Sequence, residues 1–141
     1  MKKIIFLCTG NICRSQMAEG FAKALGKGKV EVYSGGIKAE GFIHPLAIKV
    51  MGEAGIDISE QKSKLIDLEL LKQIDLIVTL CSNAEESCPT TPLNIRKIHC
   101  PVDDPTKVIG TDEEVLLAFR KAREEVKEVV ESILKNFIFD D

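Results

Sequence analysis

The chain opens with a short apolar run that ends in a cysteine and passes directly into a polar loop. Residues 3–7 form the run, and the octapeptide after it reads Cys8-Thr9-Gly10-Asn11-Ile12-Cys13-Arg14-Ser15. A brief β-branched run bounded by polar residues predicts a buried strand. Apolar residues follow at fourfold spacing, at Met17, Phe21 and Leu25, which predicts a helix after the loop. The chain therefore begins with a strand, a tight loop and a helix.

A loop in this position is suited to binding an anion. Its successive backbone N–H groups and the helix N-terminus converge on one point, and the planar guanidinium of Arg14 holds two oxygens at once. The same field favours the thiolate of Cys8, because cysteines near helix N-termini and cations lose their proton readily. We predict that Cys8 is a nucleophile assisted by Arg14 and by a hydrogen bond from Ser15. The predicted substrate-binding residues are Thr9, Gly10, Asn11, Ile12, Cys13 and Arg14.

A second interpretation gives these residues a structural role only. Cys8 is then a small buried strand residue and Arg14 an ordinary cation at a helix start. Cys13 leaves two possibilities open, because its thiol can pack inside the loop or form a protective disulfide with Cys8 under oxidation. Cys100 has no partner in this pattern, and we expect it to be an unreactive part of the core.

Strands and helices alternate along the rest of the chain. Short apolar runs at residues 30–33, 76–80 and 95–98 predict three more strands, and a helix is predicted at 46–54. A capping box at Thr111 and Glu114 opens a long C-terminal helix. Such alternation implies right-handed crossovers and a parallel sheet that binds ligands at its carboxyl edge. We predict one α/β domain over residues 1–141, a four-stranded parallel sheet flanked by helices on both faces.

Length and charge limit the possible partners. A chain of 141 residues suffices for one domain. The formal net charge is −3 with no basic stripe, so we predict no nucleic acid partner. No apolar run approaches the ~20 residues of a membrane span, and the N-terminal run is shorter than the ~7–15 residues of a signal-peptide core. We expect no membrane partner and a cytoplasmic location.

Five cysteines in such a chain favour reactive or metal-binding thiols over a disulfide framework. Metal binding is the weaker option, because no Cys-x-x-Cys pair exists and the two histidines, His44 and His99, lie far apart in sequence. We therefore predict no metal and no cofactor.

The loop and several later segments resemble one protein family. Cys8, five residues and then Arg14-Ser15 resembles the low-molecular-weight protein tyrosine phosphatases and the thioredoxin-coupled arsenate reductases that share their fold. Residues 33–36, 55–59, 79–81 and 103–105 extend the resemblance over nearly the whole chain. It implies an arsenate or phosphate-type oxyanion as substrate. It also implies that Asp104, rather than Asp103, is the general acid. Without the match in the loop, an Asp-Pro turn with solvated carboxylates would be the favoured explanation of that segment.

Two downstream cysteines resemble the redox segment of the arsenate reductases. Cys81 follows the third predicted strand, at the sheet edge that also holds Cys8, and Cys88 comes seven residues later. The resemblance implies a relay in which Cys8 attacks arsenate, Cys81 attacks Cys8 and releases arsenite, and Cys88 resolves onto Cys81. Thioredoxin then reduces the oxidised enzyme. The alternative is that both cysteines are small residues that fill a strand end and a helix face.

Arsenate reduction is the function we predict, and two others compete with it. The first is phosphomonoester hydrolysis through a Cys8 phospho-thiolate. Ile12 favours it, because tyrosine phosphatases share the sequence Gly-Asn-Ile-Cys-Arg-Ser, whereas the absence of tryptophan and the single tyrosine leave little to build an aromatic wall. The second is a non-catalytic oxyanion or redox sensor, which would not need Asp104 as a proton donor.

One further part of the resemblance concerns potassium. Asn11, Glu19 and Ser34 match positions that help form a potassium site in some arsenate reductases of this family. The fourth position, an aspartate there, is Lys64 here. A lysine ammonium is able to occupy the place of the cation, so we predict no potassium requirement.

Overall fold

The strands form one parallel sheet. The computed structural model describes residues 1–81 and 94–139. Its strands are β1 (Lys2–Cys8), β2 (Val30–Gly36), β3 (Leu76–Thr79) and β4 (Arg96–His99). They lie in the order β2-β1-β3-β4, and each neighbouring pair is parallel. The predicted four-stranded parallel sheet is confirmed, although β3 ends one residue earlier than predicted and β4 is shifted by one residue.

β2 continues past its predicted end at residue 33. Residues 34–36 pair in register with residues 6–8 of β1. Two glycines lie in this extension, which lowers strand propensity and hid it from sequence analysis. Glycine is needed at Gly36, because a Cβ there would lie 2.5 Å from the Thr9 carbonyl oxygen. β2 therefore runs directly against the loop that follows β1.

Three helices occupy predicted positions: α1 (Arg14–Leu25), α2 (Pro45–Glu53) and α4 (Asp112–Ile133). The capping box at the start of α4 is present. A short helix, α3 (Leu68–Leu71), was not predicted; the Asp67 side chain caps it by accepting two backbone hydrogen bonds. A 3-10 turn (Pro105–Lys107) and a π-helical turn (Leu134–Phe139) complete the elements that the structure describes.

The helices cover the two faces of the sheet unequally. Successive β1 residues point to opposite faces, so Ile4 and Phe6 pack in one core with α1, α2 and α4. Ile5 and Leu7 pack in a smaller core with α3. No helix within residues 1–81 and 94–139 is both long and apolar enough to cross a membrane.

All four strands run in the same direction, so the segments that follow them meet at one edge of the sheet. The Leu80 N–H donates to the Leu7 carbonyl (3.0 Å), and the Val102 N–H donates to the Leu80 carbonyl (3.2 Å). These bonds continue the sheet beyond its strands and hold the connecting segments close to the β1–α1 loop.

Candidate active site

The loop between β1 and α1 has its carbonyl groups held from outside. The carbonyls at positions 9, 10 and 12 accept hydrogen bonds of 2.9–3.1 Å from backbone N–H groups of Lys38, Glu40 and His44. The Asn11 carbonyl accepts from the Gln16 side chain at 3.0 Å. In a trans peptide the N–H points opposite to the C=O. The N–H groups of residues 10–13 are therefore directed away from these donors, and together with the start of α1 they form a cradle for an anion.

Asn11 fixes the shape of this loop. Its φ is +52°, in the left-handed region that asparagine tolerates better than most residues. Its Nδ2 donates to the hydroxyls of Ser15 (2.8 Å) and Ser34 (3.0 Å), and its Oδ1 accepts from the Lys64 N–H (2.7 Å) and from Gln16 (2.9 Å). Ser15 accepts this bond, so its own O–H is left to donate elsewhere. Its donation to Cys8 stays a prediction.

Arg14 is buried, with 2% of its surface exposed. Its Nη1 donates to the carbonyls of Leu80 (3.2 Å) and Val102 (2.8 Å), in the segments that follow β3 and β4. Its Nη2 lies 3.4 Å from Oδ2 of Asp104. The guanidinium is thus held at the centre of the sheet edge, where its fixed charge favours a bound anion.

Asp104 is held beside Arg14 by the turn that it caps. Its Oδ1 accepts from the Thr106 N–H (3.0 Å) and hydroxyl (2.6 Å), which leaves Oδ2 directed at Arg14. Asp104 lines the same cavity as the loop, whereas Asp103 does not. The structure therefore places the Asp104 carboxylate at the cavity beside Arg14, and its role as general acid stays a prediction.

One cavity of about 520 Å³ collects the predicted substrate-binding residues. Residues 8–14 and Asp104 line it, and its remaining wall consists of Ile37, Lys38, Glu40, Thr106 and Lys107. The Thr9 hydroxyl is buried and has no hydrogen-bond partner in the part of the chain that the structure describes. An oxygen of a bound oxyanion would satisfy it.

Two cysteines, Cys8 and Cys13, belong to the octapeptide that contains the loop. Cys8 and Cys13 are both buried, and both line the cavity. Burial raises the pKa of the Cys13 thiol strongly, the Asp104 carboxylate adds to the rise, and Arg14 partly opposes it. Cys13 therefore stays protonated and is a poor nucleophile. The structure shows it packed inside the loop and does not test a disulfide with Cys8 under oxidation.

Comparison with known proteins identifies the family. Residues 3–138 match the sequence profile of the low molecular weight phosphotyrosine protein phosphatases. The chain belongs to this family. Its relatives include the arsenate reductases of Halalkalibacterium halodurans, 54% identical over 89% of both chains, and of Bacillus subtilis, 50% identical over the same shares.

Solved structures of the family agree with the fold. An arsenate reductase in the phosphate binding state superposes with a TM-score of 0.76 at 39% identity, over 95% of this chain and 97% of that one. The low molecular weight protein tyrosine phosphatase from T. tengcongensis gives a TM-score of 0.77 at 26% identity, over 97% and 100%. The fold is thus common to reductases and phosphatases of the family.

The two downstream cysteines are described only in part. Cys81 is buried and lies one residue beyond Leu80, whose carbonyl accepts a hydrogen bond from Arg14. It lies at the predicted edge but is not among the residues that line the cavity. Cys88 lies outside the described residues. Cys100, predicted to be core, is half-buried and packs against the larger core.

The predicted potassium positions form a cluster behind the loop. The Ser34 hydroxyl donates to the Glu19 carboxylate and accepts from Nδ2 of Asn11, which connects the cluster to the loop. Lys23 pairs with Glu19, and the Lys64 Nζ lies 3.5 Å from its Oε1. The carboxylate already has two ammonium groups, so these residues do not fit a further cation. No group of three or more metal-ligating side chains occurs among residues 1–81 and 94–139.

Sequence analysis missed the second wall of the cavity. Residues 37–40 follow the carboxyl end of β2, where a parallel sheet places its ligands. Recognising that Gly35 and Gly36 belong to β2 would have directed attention to these residues. Gln16 was also missed, although its amide links the Asn11 carbonyl to the Lys62 carbonyl.

Proposed function

We propose that this chain reduces arsenate to arsenite through a thiol–disulfide relay. Two features together carry the proposal. About half of the aligned residues are identical to those of arsenate reductases, and the loop of residues 9–13, here called the oxyanion loop, forms a cradle for an anion. The loop N–H groups and Arg14 hold the oxyanion substrate above Cys8. Preorganised donors of this kind stabilise the charge that develops during attack.

The first step joins arsenic to sulfur. The Cys8 thiolate attacks arsenic(V), and one hydroxyl oxygen leaves as water after it takes a proton from Asp104. The contact with Arg14 and the bonds from Thr106 keep the Asp104 carboxyl beside the cavity. Asp104 then acts as the general acid of the reaction.

The second step reduces arsenic. The Cys81 thiolate attacks the Cys8 sulfur, the sulfur–arsenic bond breaks, and its electron pair stays on arsenic, which leaves as arsenite. Cys88 then attacks Cys81, which frees Cys8 and leaves a Cys81–Cys88 disulfide. We propose thioredoxin as the dithiol that reduces this disulfide. A relay of free thiols requires a reducing compartment, so we also propose a cytoplasmic location.

The test measures arsenite production with thioredoxin, thioredoxin reductase and NADPH. The wild type is expected to consume NADPH continuously in the presence of arsenate, and Cys88→Ser to give one stoichiometric reduction and then stop. Cys100→Ser is the matched control and should turn over like the wild type, because Cys100 lies outside the cavity lining. Sustained turnover by Cys88→Ser would contradict the relay.

Phosphomonoester hydrolysis is the second candidate function. The family membership and the cavity of about 520 Å³, which exceeds the size of a tetrahedral ion, favour it. Cys8 would form a phospho-thiolate, and Asp104 would act as acid and then as base. Hydrolysis of a small aryl phosphate, measured beside arsenate reduction, separates the two. Efficient phosphate release without arsenate-dependent NADPH consumption would establish the phosphatase.

A further inference from the structure

His44 links the oxyanion loop to the helix that follows it. It is the N-cap residue of α2, and its Nδ1 accepts a hydrogen bond from the Leu46 N–H at 3.1 Å. Its backbone N–H donates to the Ile12 carbonyl at 2.9 Å. One residue thus ends the segment that supports the loop and begins a helix of the core.

The bond to Ile12 decides which way a peptide of the loop points. The Ile12 carbonyl is held toward His44, so the Cys13 N–H of the same peptide points in the opposite direction, toward the centre of the cradle. If this peptide turned over, a carbonyl oxygen would replace an N–H donor and repel a bound anion. The backbone of His44 therefore holds one donor of the oxyanion site in place.

The side chain of His44 fixes that backbone. Its ring lies 4.8 Å from the Phe119 ring of α4, centroid to centroid, with an interplanar angle of 38°. Phe119 is fully buried, so the contact anchors the imidazole to the main core. The φ and ψ of His44 are −58° and 130°, an extended conformation that the following Pro45 also favours. The cap bond to Leu46 holds the His44 side chain against this backbone at the start of α2.

We infer that His44 is a positioning residue for the oxyanion site, acting through its Nδ1 cap and the Ile12 carbonyl. The cap requires a neutral ring with the proton on Nε2, since Nδ1 accepts. Burial lowers the pKa of His44 and the Asp104 carboxylate opposes this, so the ring is neutral at physiological pH. The oxyanion loop presents a carbonyl to His44 and α4 presents the Phe119 ring. Asp104 is the charged group whose field reaches the imidazole.

The test uses the affinity for inorganic phosphate, measured by calorimetry at pH 7.5. It rests on the oxyanion site of the proposed function but not on turnover, so it keeps its meaning if arsenate is not reduced. His44→Ala removes the cap and is expected to weaken phosphate binding five- to twentyfold. His44→Asn keeps a cap acceptor, since asparagine is among the best N-cap residues, and should bind within twofold of the wild type.

A matched control separates positioning from general stability. Asp67→Ala removes the cap of α3 on the opposite face of the sheet, so it should lower the melting temperature and leave phosphate affinity unchanged. Phosphate binding by His44→Ala within twofold of the wild type, or equal losses in His44→Ala and His44→Asn, would overturn the inference. Nitrogen NMR of the wild-type imidazole gives an independent check, because an Nδ1-protonated tautomer would also overturn it.

Discussion

Helix α1 carries two buried charges that have opposite surroundings. Arg14 and Glu19 are 2% and 3% exposed. Glu19 lies behind the loop, between the ammonium groups of Lys23 and Lys64. Arg14 lies in front of it, beside a cavity, with one carboxylate 3.4 Å away. The protein neutralises the first charge with its own cations, whereas the second faces the space where a substrate anion binds. Burial alone therefore does not distinguish a structural charge from a functional one.

Substitution of Arg14 should have the largest effect. Arg14→Lys keeps the charge but loses the planar fork, so we expect kcat/KM to fall about 10²–10³-fold, as for loss of a preorganised oxyanion donor. Arsenite production and aryl phosphate hydrolysis measure it. Arg123→Lys in α4, which does not line the cavity, is the matched control and should change kcat/KM less than twofold. A loss below tenfold in Arg14→Lys would contradict the role given to the guanidinium.

Substitution of Asp104, the carboxylate beside Arg14, should have the second largest effect on activity. Asp104→Asn is expected to lower the rate of the first chemical step about 10²-fold, the contribution of a positioned general acid. Rapid-quench measurement of the first turnover isolates this step from reduction of the enzyme. Asp103→Asn provides the comparison, because Asp103 does not line the active cavity. An equal or larger effect of Asp103→Asn would reverse the assignment.

Substitution of Glu19, which lies behind the loop, should lower the stability of the fold more than the activity. Glu19→Gln leaves the amide bonded to Ser34 but removes the partner of two lysines that can turn into solvent. We expect a loss of about 1–3 kcal/mol in the free energy of unfolding, measured by urea denaturation, with kcat/KM reduced far less than in Arg14→Lys. If Glu19→Gln lost activity without losing stability, Glu19 would be a functional charge like Arg14 and not a structural one.

A third charge cluster, on the surface, gives a smaller effect that depends on pH. Hydrogen bonds from Arg120 and Arg123 lower the pKa of Glu53 from 4.5 to about 2. A depressed carboxyl pKa stabilises the fold above pH 4.5, and this stabilisation is lost as the pH falls from 4.5 toward 2. Glu53→Gln should therefore melt closer to the wild type at pH 2 than at pH 6. If the difference in melting temperature between the wild type and Glu53→Gln were the same at pH 2 and pH 6, the pairing of Glu53 with Arg120 and Arg123 would be contradicted.

The smallest expected effect is none at all. Lys23 and Lys64 already compensate Glu19, so kcat/KM should be the same in potassium and sodium salts of equal ionic strength. A steep rise with potassium but not with sodium would show that the lysines do not replace the cation.

The front of the site was more predictable from the sequence than its support. The β1–loop–α1 unit is local, so the strand pattern, Gly10 and the position of Arg14 were enough to predict it. Asn11 has a left-handed backbone held by Ser34 and Lys64, which are distant in sequence, and no local pattern reports such bonds. The octapeptide therefore predicts the part of the cavity that residues 8–14 line, but it does not predict the wall formed by the residues after β2.

The missed helix α3 and the misplaced end of β2 have different causes. α3 depends on a single cap at Asp67 and has only four residues. A helix of this length is too short to show helical periodicity in the sequence. The extension of β2 through Gly36 opposes the low strand propensity of glycine. Glycine is required at this position because the Thr9 carbonyl approaches closely. In β2 a tertiary contact therefore overrides the local preference, whereas α3 depends on a local cap.

The fixed shape of the oxyanion loop limits what can reach its sulfur. Cys8 is 4% exposed, and the hydrogen bonds of Asn11 prevent the loop from carrying it outward. A hydrated ion is small enough to enter the cavity, whereas a folded reductant of domain size is not. The size of the cavity therefore admits a small ion to Cys8 and excludes a folded protein. In the proposed relay, the ion meets Cys8 inside the protein, and the electrons of a protein donor would reach Cys8 through another thiol of the chain.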